Sequence, residues 1–380
     1  MRKKLLAGVM ALALCSTNML PQTIFAGEFT SGNLEEVTEE TPEIFSDDNQ
    51  EVIEETEEEL SVFSSENVPE FSSEVNIMSA TADETEPIGI DMNDITNLNY
   101  YDSSKGIWKI TSAGSYRFNG TGNNDAPILI DHIDSGTVKV YLNNVNIHSA
   151  DRTPPLRITN TVHADVYIYL ESSNLLQSTY INSAALQIDG TTKLIIDNSP
   201  GTNGSLTANS SKHGTGIGSS GNSDLSPAFH IIIKGGAVTA SSFRSMGIGG
   251  NNSNITIKGG LVKVSSDQWC AIGGTKSNIT IDGGSVKASS RTHFGIKSSS
   301  LTINGGSVTA SSANETEKGI SSNQITINGG SVTASSTSGT GIESDSLTIK
   351  GGSVDASSIS GTGIKNGSLT IKGGSVDASS

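Results

Sequence analysis

Cysteine and tryptophan are nearly absent from this 380-residue chain, which has two of each. Cys15 lies in the N-terminal apolar stretch, so a chain that loses this stretch keeps one cysteine and forms no internal disulfide. The remaining Cys270 fills a repeat position that Met246 and Phe294 fill elsewhere, which predicts a buried apolar residue rather than a reactive thiol. Stability must therefore come from burial and backbone hydrogen bonding.

Long apolar runs are also lacking. The most apolar run, residues 5–14, is too short to cross a bilayer as a helix. It follows three basic residues at positions 2–4 and precedes the small residue Ala26, an order typical of a secretory signal peptide. We therefore predict a signal peptide over residues 1–26 and a secreted protein, associated with the cell surface, without a membrane span.

Basic residues are missing from residues 27–94, which hold 22 acidic residues and no Lys or Arg. High charge with little apolar mass cannot offset the entropy of ordering, so this segment is predicted to be a disordered acidic spacer. Residues 95–380 hold 20 basic and 18 acidic residues, although the whole chain has a net charge of −17. A nearly neutral folded region argues against nucleic-acid binding, which needs a basic face.

Helical periodicity is absent from residues 95–380, which are rich in Gly, Ser, Thr, Asn, Ile and Val. Gly-Gly pairs recur every 22 or 24 residues between positions 235 and 374. A strand-like segment such as "NITIKGG" or "SLTIKGG" ends on each pair, and a second one such as "SVTASS" or "SVDASS" follows. Fixed-period repeats with strand patterns alone predict an all-β solenoid, a right-handed single-stranded parallel β-helix.

The segment before position 231 fits the same scheme with longer and less regular coils. Aligning Leu142, Leu170, Ile196, Ile233 and Ile257 gives spacings of 28, 26, 37 and 24 residues. We predict about ten coils, typically of 22–28 residues, which are irregular over residues 95–230 and regular over residues 231–380.

The outward positions change character along the predicted rod. In the regular coils they form ladders of Thr, Ser and Asn, which β-branched stacking explains without any function. In the irregular coils this register places Tyr141 beside Tyr169 and Ile195, and Lys139 beside Tyr167 and Lys193. The duplicated stretch "SLTIKGGSVDASS" is predicted to be scaffold, and any recognition site is expected in the irregular coils.

Several motifs, in this order, resemble a known family. They are "ITSAGSYRFNGT", "VKVYLNNVNIHS", "TKLIIDNSPGTNGSLTA", "GTGIGSS" and the tandem "ITIxGGxVxASS". Together they resemble the secreted carbohydrate-binding domain proteins of Gram-positive bacterial surfaces. The resemblance implies a right-handed parallel β-helix shaped like pectate lyases, and it implies binding of plant cell-wall polysaccharide, including acidic sugars, with calcium in the structure.

The first functional hypothesis is a polysaccharide-binding module. Aromatic rings offer apolar faces to the C–H groups of sugars, and lysines attract the carboxylates of acidic sugars. The candidate residues for such a site are Tyr141, Tyr167, Tyr169, Lys139 and Lys193.

Two alternatives remain open. Near-identical coils would suit a non-catalytic adhesin stalk or structural spacer. A polysaccharide lyase or hydrolase would need clustered carboxylates, for calcium or for acid–base chemistry. Asp131, Asp134, Asp165 and Asp197 are the candidate calcium ligands, although no cofactor is required by the favoured hypothesis. We assign no catalytic residue and favour a non-enzymatic function.

The last repeat ends on Ser380 without a polar cap. Solenoids cap their terminal strands to keep exposed edges from pairing. We therefore expect the protein to continue past Ser380, and we expect any attachment to the cell wall to lie there.

Overall fold

The computed structural model describes residues 86–120, 125–221 and 228–380. These residues form strands and turns without a helix, and hence without a helix that could span a membrane. The predicted signal peptide and residues 27–85 of the predicted spacer lie outside the described residues. Residues from 86 onward belong to one compact unit.

The first half of this unit contains thirteen strands of irregular length and spacing. They are β1 Ile88–Asp91, β2 Tyr101–Asp102, β3 Ile107–Ile110, β4 Gly114–Asn119, β5 Ile128–Ile130, β6 Thr137–Asn143, β7 Asn146–Ser149, β8 Leu156–Ile158, β9 Asp165–Leu170, β10 Ser173–Ser178, β11 Leu186–Ile188, β12 Lys193–Asn198 and β13 Ser205–Ser210.

The second half contains seventeen strands with a nearly fixed spacing. They are β14 Ile217–Gly218, β15 Phe229–Ile233, β16 Ala237–Ser242, β17 Ile248–Gly249, β18 Ser253–Ile257, β19 Leu261–Ser266, β20 Ile272–Gly273, β21 Asn278–Ile281, β22 Ser285–Ser290, β23 Ile296–Ile303, β24 Ser307–Ser312, β25 Lys318–Ile327, β26 Ser331–Ser336, β27 Thr340–Ile349, β28 Ser353–Ser358, β29 Thr362–Ile371 and β30 Ser375–Ser379.

The strands stack from coil to coil into two sheets, one of 20 strands and one of 10. All pairings are parallel except the antiparallel pair β2–β3. The larger sheet consists of two stacks. Face A contains β1, β4, β6, β9, β12, β15, β18 and β21, and face B contains β3, β5, β8, β11, β14, β17 and β20. The two stacks join at β23, which pairs with both β20 and β21, and they continue together through β25, β27 and β29. Face C is the smaller sheet, from β7 to β30.

This arrangement confirms the predicted parallel β-helix and corrects its extent. Face A has twelve strands, so the solenoid has about twelve turns rather than ten. The prediction omitted β4 and also β1, which lies inside the segment assigned to the spacer. Ile90 and Met92 are fully buried in the first turn, and Ile88 pairs with Tyr116 of β4. Folding therefore begins before residue 95.

The interior consists of aliphatic columns, as the alternation of residues along each strand predicted. In the duplicated coil Leu347, Ile349, Val354 and Ala356 are buried, whereas Asp355 is exposed. Larger rings appear in the first turns, where Trp108 and Phe118 are fully buried with ring centroids 6.3 Å apart. Cys270 is also buried, which confirms its predicted apolar role.

The second serine of several "ASS" and "VSS" segments ties one coil to its neighbour at the end of face C. The Ser290 hydroxyl donates to the Trp269 carbonyl over 2.6 Å and accepts from the His293 backbone N–H over 3.0 Å. Ser266 repeats the pattern in the preceding coil, where it donates to Ser245 and accepts from Trp269. These buried hydroxyls satisfy backbone groups at the corner, so their recurrence has a structural cause.

Candidate functional site

Three of the predicted site residues, Tyr141, Tyr167 and Tyr169, come together on the outer surface of face A. Tyr141 on β6 pairs in register with Tyr169 on β9, and their rings stack with centroids 4.9 Å apart and planes 21° apart. Tyr167 lies two residues before Tyr169 on the same strand, and these rings are 5.9 Å and 16° apart. All three side chains are partly exposed.

A cation lies against each end of this stack. The Arg117 guanidinium lies 5.4 Å from the centroid of the Tyr141 ring, and the Lys234 ammonium lies 5.6 Å from that of Tyr167. Glu171 holds Arg117 in place with hydrogen bonds of 3.0 Å to Nε and to a terminal nitrogen. Cations over ring faces are attracted by the quadrupole of the ring. Arg117 and Lys234 were missed from the sequence, because their contacts depend on the register across coils.

Arg117, Tyr141, Tyr169, Tyr167 and Lys234 thus form a continuous series, which we call the tyrosine row. Each ring in it shares a face with a neighbouring ring or cation. What a ligand meets is therefore mainly the outer edges and hydroxyls of the rings, rather than three open faces. Burial, and then the neighbouring Tyr141, raise the pKa of Tyr169, so its phenol stays protonated and can donate a hydrogen bond.

The structure separates the two predicted lysines. Lys139 pairs in register with Tyr167. Its positive charge also interacts with the Tyr169 phenol and tends to lower the pKa of that group. Lys193 precedes Leu194, which pairs with Val166, so it lies beside Asp165 and donates to that carboxylate over 2.6 Å. This hydrogen bond raises the pKa of Lys193. Lys193 is therefore neutralised by a carboxylate of its own chain.

The predicted register between β9 and β12 is wrong by two residues. Tyr167 pairs with Ile195 and Tyr169 with Asp197, whereas the sequence alignment set Ile195 beside Tyr169 and Lys193 beside Tyr167. A slip of two residues leaves every side chain on the same face, so the alternation of apolar residues could not reveal it. Ile195 points outward, yet it is only 2% exposed.

Asp131, a predicted calcium ligand, is held by donors of its own chain. Thr159 and Thr161 donate to its carboxylate over 2.8 and 2.9 Å, and Lys109 lies 3.4 Å away. Burial raises the pKa of Asp131, but these hydroxyls, together with His132 and Lys109, outweigh that effect and lower the pKa to about 2. The Asp131 carboxylate is therefore an anion whose hydrogen bonds are made within the chain, rather than an oxygen ligand free to bind calcium.

The other predicted ligands do not gather around Asp131. Asp165 is paired with Lys193, Asp197 accepts the backbone N–H of Asn198 over 2.8 Å, and Asp134 is exposed. No group of three or more His, Cys, Asp or Glu side chains in the described part of the chain is placed to hold a metal ion. Calcium needs six to eight oxygen ligands, so these residues do not fit a calcium site.

A second charged cluster, which was not predicted, lies on face B in the regular coils. Lys318 and Lys365 pair with Glu343 over 3.3 and 3.0 Å, at the edge of a depression of about 490 Å³. Lys297 lies over the Phe294 ring at 5.0 Å, and burial, together with Lys318, lowers its pKa. Departures from the repeat at these positions are the signal that could have revealed the cluster.

An open groove of about 710 Å³ runs across the coils at the end of face C. Small side chains form most of its lining, chiefly the paired serines of successive "ASS" segments. Phe243, which is 40% exposed, and the ion pair Arg291–Asp267 interrupt this serine surface. The groove has hydroxyls that could bond a ligand, but its buried serines are used by the fold itself.

The comparisons with known proteins agree with the fold and with the resemblance in the motifs. A family model described as "Carbohydrate-binding domain-containing protein" matches residues 104–380, and the chain belongs to this family. No curated protein and no solved structure matches the chain.

Proposed function

We propose that this member of the carbohydrate-binding domain family is a non-catalytic module that binds polysaccharide along the outer edge of the tyrosine row. The observation that carries the proposal is the stack of three tyrosines with a cation at each end, on a face whose regular coils present mainly Thr, Ser and Asn. Phenol hydroxyls bond sugar hydroxyls, and ring edges contact the apolar C–H groups of a pyranose. The stack holds the rings rigid, which lowers the entropy cost of binding.

The proposed ligand is an acidic polysaccharide of the plant cell wall. Lys234 is exposed, and none of the described carboxylates lies within ion-pair distance of its ammonium group. It can therefore meet a uronate carboxylate without first breaking a bond within the chain. The resemblance of the motifs to proteins that bind acidic sugars supports the same ligand class.

The proposed role is binding rather than bond cleavage. Three carboxylates lie beside the row. Glu171 bonds Arg117 and Asp165 bonds Lys193, whereas Asp197, which pairs in register with Tyr169, accepts the backbone N–H of Asn198. Hydrolysis of a glycosidic bond needs a pair of carboxyl groups available to the sugar. Secretion and a surface location remain part of the proposal, on the basis of the features of residues 1–26.

A panel of immobilised polysaccharides tests this function. The panel should include polygalacturonate, neutral glucans and xylan, and the release of shortened products should be followed at the same time. We expect retention on polygalacturonate without product release. Tyr167→Ala with Tyr169→Ala should weaken retention roughly tenfold or more. Thr302→Ala with Thr326→Ala, in the same outward column of face A as Tyr167, is the matched control and should bind as the parent does.

A second pair of variants tests the acidic ligand. Lys234→Ala should weaken binding to polygalacturonate, whereas Lys350→Ala, which removes the same charge from the same corner of face A five coils farther along, should have little effect. Equal effects of the two variants would show that general charge attraction, and not the row, selects the ligand. A chain that binds no polysaccharide in the panel would contradict the proposed function and would favour the stalk.

A further inference from the structure

One outward column of face C carries like charges side by side. Lys263 on β19 pairs in register with Lys287 on β22, and Asp355 on β28 pairs with Asp377 on β30. Two threonines, Thr309 and Thr333, separate the pairs in the same column. The column therefore reads Lys, Lys, Thr, Thr, Asp, Asp along the solenoid axis, and it is the middle one of the three outward columns on this face.

Among the described residues these charges have no partner of opposite sign. All four side chains are exposed, and within the described residues none forms an ion pair or a hydrogen bond. Like charges directly opposite each other on neighbouring strands destabilise a sheet. Most other positions of the column hold threonine or leucine, so the fold does not require the charges. The repulsion between these like charges thus lowers the stability of the chain, and a partner with opposite charges at the facing positions would remove it.

When the order of this column is reversed, each lysine takes the place of an aspartate and each aspartate that of a lysine, so the column is complementary in charge to a reversed copy of itself. A two-fold axis parallel to the strands of face C would set a second copy against this face with its solenoid axis reversed. Lys263 then meets Asp377 of the second copy, Lys287 meets Asp355, and Thr309 meets Thr333. Each contact occurs twice by symmetry, which gives four Lys–Asp pairs around a central pair of threonine contacts.

The other face-to-face two-fold arrangement is excluded by the same charges. An axis parallel to the solenoid keeps the coils in the same order, so Lys would meet Lys and Asp would meet Asp. Like-charge contacts across an interface suppress the wrong arrangement. The column therefore selects one orientation of the partner.

We propose that face C is a self-association surface through which two copies form an antiparallel, side-by-side dimer. Six strands about 4.8 Å apart and roughly 20 Å long cover an area of roughly 600 Å² on each copy. The total of roughly 1,200 Å² is at the lower limit of stable interfaces, and the surface is polar, so the dimer is weak and sensitive to salt. Face A stays open in both copies, so the dimer presents two tyrosine rows. The proposal does not depend on the function of these rows.

Charge reversal on the full-length chain, followed by sedimentation velocity, tests the interface. Lys263→Asp with Lys287→Asp makes every contact Asp–Asp, and Asp355→Lys with Asp377→Lys makes every contact Lys–Lys. Each double variant should dimerise at least about tenfold more weakly than the parent chain. An equimolar mixture of the two should form a heterodimer, and the chain with all four substitutions should recover the homodimer.

Lys350→Asp with Lys372→Asp is the matched control, because it changes the net charge equally on face A and should leave the dimer intact. Circular dichroism should show the same strand content for every variant. The proposal is overturned if the parent chain stays monomeric at high concentration and low salt. It is also overturned if a dimer persists in either double variant, or if the mixture and the four-fold variant fail to recover one. A parent chain that stays monomeric would instead favour binding of Lys263 and Lys287 to the acidic segment, residues 27–94, of the same chain.

Discussion

Replacing the second glycine of a Gly-Gly corner tests how the coils are fixed to one another. Gly306 has a φ of 81°, in the left-handed region that favours glycine. A Cβ at this position would lie 2.6 Å from the carbonyl oxygen of Gly284 and 2.8 Å from the carbonyl carbon of Gly283. Both contacts are with the backbone of the preceding coil, so no side-chain rotation can relieve them.

The two effects add to a measurable loss. The left-handed backbone costs an alanine about 1–2 kcal/mol, and the shift of a packed neighbour costs about 1–3 kcal/mol more. We therefore expect Gly306→Ala to lower the free energy of unfolding by about 2–4 kcal/mol. Gly305 lacks the positive φ, and a Cβ there would lie 3.0 Å from the Asp282 carbonyl oxygen. Gly305→Ala should cost less than about 1 kcal/mol, as a modest overpacking.

Urea unfolding of the full chain measures both values, and hydrogen exchange of β24 and β26 reports local opening, because solenoid coils can open separately. The variants differ by one methyl group at adjacent positions, so composition cannot explain a difference between them. Equal stabilities of Gly306→Ala and Gly305→Ala would refute the reasoning about the corner.

Three further predictions concern buried polar groups. Asp131 has its pKa lowered from 3.8 to about 2, so Asp131→Asn should lower the free energy of unfolding by about 1–3 kcal/mol at neutral pH. That difference should fade as the pH falls from about 4 to about 2, and a constant difference would contradict the assignment. Ser290→Ala should lower the free energy of unfolding in urea by about 1–3 kcal/mol, because it leaves buried backbone groups without a hydrogen-bond partner. Ser289→Ala, at an outward position, should lower it by less than about 0.5 kcal/mol, and equal losses would contradict this role of Ser290. Burial raises the pKa of Cys270 to about 12, so iodoacetamide should label it only after unfolding; labelling of the native chain would contradict its burial.

The architecture could be predicted because the same sequence pattern recurs in many coils. Each coil repeats the alternation that buries Leu347 and Ile349, and each Gly-Gly pair marks the same corner, so errors at one coil are corrected by the others. The first turn could not be found in this way. Ile90, the buried residue of β1, stands among acidic residues, and its burial depends on the pairing of β1 with β4.

The site was predicted in part. The three tyrosines could be grouped because they share the outward positions of β6 and β9, two strands whose spacing was read correctly. Arg117, Lys234 and the partner of Lys193 depend on the register over several irregular coils. The spacing from β9 to β12 is 28 residues rather than the 26 of the sequence alignment, and a difference of two leaves the apolar pattern unchanged and hides the true neighbours.

The most direct measurement is the calorimetric affinity of an oligogalacturonate for three chains. These are the parent, the pair Tyr167→Phe with Tyr169→Phe, and the pair Tyr167→Ala with Tyr169→Ala. The phenylalanine pair keeps the stack and loses two hydroxyls, so we expect a loss of roughly tenfold. The alanine pair loses the stack as well and should bind roughly a hundredfold more weakly than the parent. An alanine pair that binds as tightly as the parent would show that polysaccharide is not bound at the tyrosine row.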